Sequence, residues 1–275
     1  MQDRKALQAG TSHFLGQNFA RSSEIKFLSK EGKEEYAWTT SWGVSTRLIG
    51  ALIMTHADDD GMVIPPKLAP KQVVLLPIYR NDEDRARVLE HCHALAKELK
   101  EQRYGEERVK VEVDDRDMQG GEKAWFHVKR GVPVRIEVGP RDIDGGVVSV
   151  MRRDKGVKER DNIPRGEIAG RIVGILEEMQ KGLYDRALAF QKQHMKELTT
   201  KEEIIAHFTP ANAEKPEIHG GFVLAPFVDD KAVADALAQH KVTVRCVPVG
   251  QAPRPGVCPF TGKATDKWAI YAKAY

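Results

Sequence analysis

Cysteine is scarce in this sequence. Three thiols in 275 residues, Cys92, Cys246 and Cys258, are too few and too scattered to staple a disulfide scaffold, which points to a reducing cytoplasm. Long hydrophobic runs are missing too: no apolar stretch approaches the roughly 20 residues that cross a bilayer, so no membrane partner is expected. Residues 1–10 lack the apolar segment of a secretory leader. Neither charge sign dominates. Lys and Arg total 43 against 40 Asp and Glu, and a net +3 neither demands nor excludes a nucleic-acid partner. No Walker-type glycine loop, no Cys-x-x-Cys pair and no Gly-x-Ser-x-Gly elbow occurs, so nothing suggests a covalent nucleophile. His91-Cys92-His93 has the look of a metal site, yet residues two apart on a helix face different ways and cannot share an ion.

What is present suits ordinary folded domains: 41% hydrophobic and 30% charged residues, with length enough for two or three cores. Residues 72–79 (Gln-Val-Val-Leu-Leu-Pro-Ile-Tyr) read as a buried strand. Residues 82–102 carry Ala86, Val88, Leu89, Leu95 and Leu99 between charges, which reads as an amphipathic helix. Strands are expected over 109–113, 132–138 and 147–151, then a long helix from Arg165 to about Leu198 through Ile168, Ile172, Ile175, Leu176, Met179 and Leu183. That order predicts a small α/β domain with a mixed sheet. Beyond it, Thr199 to Glu203 opens a capped helix. Strands over 222–227, 242–248 and 268–275 and a helix over 230–239 complete a third part, with a Pro/Gly-rich loop over 251–262. The expected domains are 1–70, 71–195 and 196–275.

Four stretches carry candidate chemistry. In residues 38–70 a small-residue turn sets Arg47 between a strand-like run and an apolar helix-like run, followed by Asp58-Asp59-Asp60-Gly61 and a proline-punctuated exit. A fixed guanidinium suits the charge that develops on a nucleotide phosphate, and Gly43, Ser45 and Thr46 permit close approach. An isolated arginine at a turn is otherwise plain surface charge. Residues 8–19 surround His13 with small and polar residues that could line a pocket, although a lone histidine is more often structural. In residues 131–142, Arg135 and Glu137 alternate with apolar residues and so share one strand face, with Arg141 and Asp142 in the turn after it. Exposed Arg and Asp at a strand end can stack on and hydrogen-bond unpaired RNA bases; a solvated charged face is the alternative. Residues 152–160 form a mixed-charge run, either a solvated loop or a phosphate-tracking patch.

Ser41-Trp42-Gly43-Val44-Ser45-Thr46-Arg47, the Asp-Asp-Asp-Gly turn and Pro65-Pro66-Lys67-Leu68-Ala69-Pro70 together resemble motif 3 of class II aminoacyl-tRNA synthetases, in the wording of the prolyl-tRNA synthetases of archaeal and eukaryote-like type. The Thr11-Ser12-His13 stretch and residues 131–142 are similar to the same family, in the same order. The resemblance implies a multidomain α/β and α+β chain. A remnant of the antiparallel catalytic sheet comes first, then an α/β anticodon-binding domain with a mixed sheet, then a small α+β C-terminal domain. It implies that Arg47 is catalytic, that Gln8, Ser45 and Arg47 face ATP, and that Thr11, His13, Trp42 and Gly43 face proline. Arg135, Glu137, Arg141 and Asp142 would read the two guanines of the proline anticodon. The chain departs from the family where many members have Trp-Glu and it has His127-Val128, and where they have an aromatic residue and it has Ala124; Trp125 is the nearby substitute. The family's four zinc-binding cysteines match Val228, Val233, Cys258 and Thr261 here. One thiolate cannot make a four-ligand site, so no zinc is expected.

The complete enzyme of this family would activate L-proline with ATP and Mg²⁺ and transfer it to tRNA(Pro) as a cytoplasmic homodimer. Motifs 1 and 2 have no counterpart in residues 1–37, so the chain by itself is expected to be inactive. The alternative expectation is a non-catalytic tRNA-binding module.

Overall fold

A computed structural model describes residues 1–156, 158–212, 214 and 218–275. Its chain divides into two compact units, one of Met1–Ala51 with Lys196–Tyr275 and one of Leu52–Met195. Val157, in the mixed-charge run, and residues 213 and 215–217 of the expected third domain lie outside the described residues.

The first unit opens with β1 (Gly10–Gly16), α1 (Asn18–Ser22), a hairpin of β2 (Lys26–Leu28) and β3 (Glu34–Tyr36), and β4 (Thr39–Val44). β1 and β4 pair antiparallel as a sheet of their own. α2 (Arg47–His56) follows, and the division between units falls within it, after Ala51.

The Leu52–Met195 unit is built on β5 (Val73–Pro77), whose residues are all buried, as a central strand covered on both faces must be. Then come α3 (Asp82–Glu101), a short hairpin of β6 (Arg103–Tyr104) and β7 (Glu107–Arg108), β8 (Val111–Val113), α4 (Gly120–Lys129), β9 (Val134–Val138), α5 (Pro140–Asp144), β10 (Val147–Arg152), β11 (Asp161–Pro164) and α6 (Ile168–Gln193). The sheet runs β11-β10-β9-β5-β8. β5 lies parallel to β8 and β9, while β10 lies antiparallel to β9 and β11, so the sheet is mixed as expected.

Strand alternation sorts the core. Val73, Leu75, Val134 and Ile136 pack against α3 and α6, whereas Val74 and Leu76 pack with Ala124 of α4 on the opposite face. Asn81 caps α3 by accepting from the Asp84 amide at 2.7 Å, with Asp82, Glu83 and Asp84 favourably placed in the first turn. The buried stripe of α3 is Val88, Cys92, Leu95, Ala96 and Leu99. Ala86, expected inside, is exposed, because the stripe follows the 3.6-residue period from Val88 through the small residues Cys92 and Ala96. Burial pushes the Cys92 thiol up to about 12, and its neighbours His91 and His93 point elsewhere.

The second division falls within β12 (Met195–Glu197), and in the remainder of the first unit α7 (Lys201–Phe208), β13 (Phe222–Pro226), α8 (Lys231–Ala238), β14 (Val242–Cys246), a hairpin of β15 (Gly256–Val257) and β16 (Ala264–Thr265), and β17 (Trp268–Lys273) follow. The long helix expected to reach Leu198 ends at Gln193, and the chain leaves as β12 beside β13. A β12-β13-β17-β14 sheet packs Val223, Ala225, Ala269 and Tyr271 against Ile204 and Phe208 of α7 and Val233 and Leu237 of α8. Thr200 caps α7, accepting from the Glu203 amide at 3.3 Å. Asp230 caps α8 through the Ala232 amide at 3.0 Å. Among the described residues no helix is long and apolar enough to cross a membrane.

Candidate nucleic-acid interface

β9 carries Arg135 and Glu137 on the sheet face that α4 covers. Register sets Arg135 between Val74 of β5 and Met151 of β10, and Glu137 between Leu76 and Ser149. The two share a face, as alternation predicts, but Arg135 is not solvent-facing: it is 2% exposed. Its Nε and Nη1 are buried without a hydrogen-bond partner among the described residues. Burial lowers the Arg135 pKa from its ordinary value; Glu137 opposes that shift and Arg153 adds to it. Half-buried Glu137 has Arg160 at 4.0 Å, and beside it Ser149 Oγ donates to Asn162 Oδ1 at 2.9 Å.

Arg153 makes the comparison sharp. It is buried to the same degree, yet every donor group is used: Nε donates to the Val128 carbonyl at 3.1 Å, Nη1 to Asp58 Oδ2 at 2.7 Å, and Nη2 to Asp58 Oδ1 at 2.5 Å and the Gly61 carbonyl at 3.2 Å. The Arg153 hydrogen bonds are the main reason Asp58 is held below the usual carboxylate range. The acidic turn that sequence groups with a nucleotide site is therefore tied to the end of β10. No local signal could reveal a pair 95 residues apart.

The α5 turn separates the remaining two anticodon candidates. Asp142 accepts from the Gly139 amide at 2.8 Å and caps the helix, with Pro140 in its first turn. Arg141 is exposed, without a side-chain partner among the described residues.

α4 contributes more than the sequence suggested. His127 and Val128 face inward, each 1% exposed, and His127 Nε2 lies 2.8 Å from Asp114 Oδ2. Asp114 also receives Arg116 through Nε at 2.8 Å and Nη2 at 2.7 Å, which holds its carboxyl well below the usual range. Burial lowers the His127 pKa, with Asp114 opposing. The Arg116 and Arg130 guanidiniums both lie over the Phe126 ring, at 4.0 and 3.5 Å from its centroid. Exposed Trp125 has Lys129 Nζ over its ring at 5.7 Å. Cations paired with aromatic faces make a surface suited to stacking on bases.

Around β1 and β4 the register pairs Thr11 with Gly43, Ser12 with Trp42, and His13 with Ser41. Opposed residues share a face, so Thr11, His13 and Gly43 lie together and Trp42 turns to the other side, its Nε1 donating to Ser12 Oγ at 2.8 Å. Gln8 Nε2 donates to Thr11 Oγ1 at 2.9 Å, joining one ATP candidate to one proline candidate. The Ser45 carbonyl accepts from the Leu48 amide at 3.2 Å, and Arg47 begins α2 with its side chain in solvent. Trp42 is 77% exposed, and Phe14 stacks on Trp38 at 5.7 Å in the open.

Among the described residues, no three His, Cys, Asp or Glu side chains come together to hold a metal. At the positions matched to the zinc cysteines, Val228 packs against the core, Val233 and Cys258 are inside it, and Cys258 is hydrogen-bonded to the Thr261 side chain and to backbone groups of Phe260, Thr261 and Val228. Burial raises its thiol pKa, and those hydrogen bonds outweigh it. One sulfur among valines and a threonine does not fit a structural zinc.

The family model described as "Anticodon binding domain" matches residues 72–174, and the one described as "Prolyl-tRNA synthetase, C-terminal" matches 213–275. A protein named Proline--tRNA ligase from Bdellovibrio bacteriovorus is 54% identical over 275 residues, covering all of this chain and 54% of its own length. Proline--tRNA ligase 2 of Anaeromyxobacter dehalogenans is 50% identical over 280 residues, and the Proline--tRNA ligase of Protochlamydia amoebophila 50% over 276, covering 55% and 54% of those proteins. The chain thus spans about half the length of the curated relatives it matches. With both domain models matched in order and identity running along its whole length, the chain belongs to the prolyl-tRNA synthetase family, of which it is a C-terminal portion.

Proposed function

We propose that this chain serves a prolyl-tRNA synthetase chiefly by recognising the anticodon of tRNA(Pro). The observation that carries this reading is the Arg135 guanidinium, buried with two nitrogens unsatisfied. A buried donor without an acceptor is costly and calls for an explanation, and we take the explanation here to be an acceptor on a bound RNA base. The planar fork of arginine matches O6 and N7 of guanine, and the neighbouring Glu137 carboxylate accepts from a base amino group. Arg141, exposed nearby in sequence, would meet the phosphate or an unstacked base. Asp142 would act by holding the α5 turn in shape.

In the complete enzyme, residues 1–70 would be the end of the class II catalytic domain, with β1 and β4 a remnant of its antiparallel sheet. Residues 71–195 would bind the anticodon, and 196–275 would form the C-terminal domain. Gln8, Ser45 and Arg47 would form one wall of the ATP site, and Thr11, His13 and Gly43 would line proline. Proline would be activated as the adenylate and passed to tRNA(Pro) by a cytoplasmic homodimer. Mg²⁺ would neutralise phosphate charge there, but none of these wall residues is a carboxylate, and the fit of the ion to this chain's residues is poor. A second reading, a tRNA-binding module without catalysis, draws support from the openness of β1 and β4.

The test is binding of tRNA(Pro) against the same tRNA with both anticodon guanines changed. A preference of about tenfold or more is expected, the scale of one good bidentate contact. Arg135→Met should abolish most of it without unfolding the protein. Equal binding of the two RNAs by the parent chain would overturn the reading.

A further inference from the structure

The Met1–Ala51 and Lys196–Tyr275 unit gathers cations at one end of its sheet, and the anticodon reading does not use them. Ala6 pairs with Ala274 just beyond β17, which brings the N-terminal Arg4 and Lys5 beside Lys273. Val242, paired with Lys273, brings Lys241 to the same edge. Lys273 Nζ lies 2.6 Å from His219 Nε2, which is itself 3.1 Å from the Phe208 carbonyl. Arg4 Nη1 donates to the Ile218 carbonyl at 3.1 Å. Burial lowers the Lys273 pKa, and the like charges of Lys241 and Lys5 lower it further. His207, at the end of α7, is lowered by burial and then by Lys196, His219 and Arg4.

Two features set this group apart from a solvated basic face. Arg4, His207 and Lys273 are partly buried, and Arg4 Nε and His207 Nε2 are buried without a partner among the described residues. Arg4 also holds φ at +59°, a conformation L-residues rarely adopt, and one that persists only where surroundings impose it. Lys5 has Asp3 at 3.8 Å, but Arg4, Lys196, Lys241 and Lys273 have no carboxylate at ion-pair distance among the described residues. Like charges crowded around half-buried donors repel one another unless an anion joins them.

We propose that Arg4, His207 and Lys273, rimmed by Lys5, Lys196 and Lys241, form a phosphate-binding site on the C-terminal domain, filled by a backbone phosphate of tRNA outside the anticodon loop. Inorganic phosphate or pyrophosphate shares that chemistry, and the experiment separates the sources. The full chain and a Lys5→Gln/Lys241→Gln variant, both exposed positions, are titrated at several salt concentrations. The probes are whole tRNA(Pro), its isolated anticodon stem-loop and inorganic phosphate. A Lys273→Gln variant is added where its melting curve matches the parent. Whole-tRNA affinity should drop about three- to tenfold in the double variant, and the slope of log K against log salt should flatten by about one to two, the change expected for lost phosphate contacts. Stem-loop binding should not change. Failure of the stem-loop to bind even the parent would count against the anticodon reading alone. Phosphate protection lost in the variant, with whole-tRNA binding unmoved, would assign the site to a free anion and overturn the RNA assignment. No change with any probe overturns the site.

Discussion

Arg135 and Arg153 are equally buried, at 2% exposure, and their opposite circumstances predict opposite mutational outcomes. Arg153 is saturated by Asp58, Gly61 and Val128, so removing its counter-charge strands a guanidinium in the interior. Asp58→Asn should cost about 2–3 kcal/mol, below the full range for a buried pair because Asp58 is half-exposed; a urea melt measures it. Arg135→Met instead removes a guanidinium whose Nε and Nη1 have no hydrogen-bond partner among the described residues, and its cost should appear in tRNA discrimination rather than in the melt. Acid should act through His127 and the carboxylates in two stages. Burial holds folded His127 below its unfolded value near 6.5, so the unfolded chain takes up a proton first and stability falls as pH drops through about 6.5. Asp58 and Asp114 are also lowered in the fold; their contribution is full above about pH 4 and is lost as pH falls below it. Melting temperature against pH, compared with His127→Gln, checks this. The upper step should shrink but persist, because burial lowers His56 and His91 as well.

At the scale of elements, the legible parts were those whose patterns are self-sufficient. β5 is a continuous run of Val and Leu closed by Pro77, and β9 and β10 carry Val, Ile and Met at the positions whose burial needs no partner to be inferred. α4 was not legible. It begins with Gly120-Gly121, and its inward positions include the polar Lys123 and His127, whose Nζ and Nε2 meet the Asp114 carbonyl and carboxylate from outside the helix. Missing α4 also hid the burial of Arg135: alternation gives the face a residue takes, but not whether a helix covers that face. The junction after α4 offers a test. Gly131 has φ +69°, and a Cβ there would sit 2.7 Å from the Met62 carbonyl oxygen, where the strip after the acidic turn runs beside the helix end. Gly131→Ala should therefore destabilise by about 2 kcal/mol or more, read as a lower urea midpoint with unchanged slope. Gly32 also has positive φ but has open space around its Cβ position, so the same substitution there should cost only about 1 kcal/mol.

For the whole molecule, the question is whether the residues assigned to proline activation can act within this chain. Adenylate formation needs ATP and a carboxylate held together with charge neutralised at the phosphate and water excluded. Gln8, His13, Trp42, Gly43, Ser45 and Arg47 are exposed, and Thr11 is only half-buried. Trp42 looks away from Thr11 and His13, and Arg47 stands in solvent at the head of α2. In water a lone guanidinium gains little from a phosphate, since the attraction is screened and the reactants are not positioned. The relatives named for the ligase reaction are about twice as long as this chain, and the exposed candidates here do not by themselves enclose ATP or proline. Proline-dependent exchange of pyrophosphate into ATP should be indistinguishable from background for this polypeptide alone, at protein concentrations where tRNA(Pro) binding is already saturated. Exchange that requires proline and disappears in Arg47→Ala would show instead that β1, β4 and α2 close around substrate. Binding without exchange would separate recognition from activation, the first residing in the mixed-sheet unit and the second requiring walls beyond the exposed β1–β4 sheet.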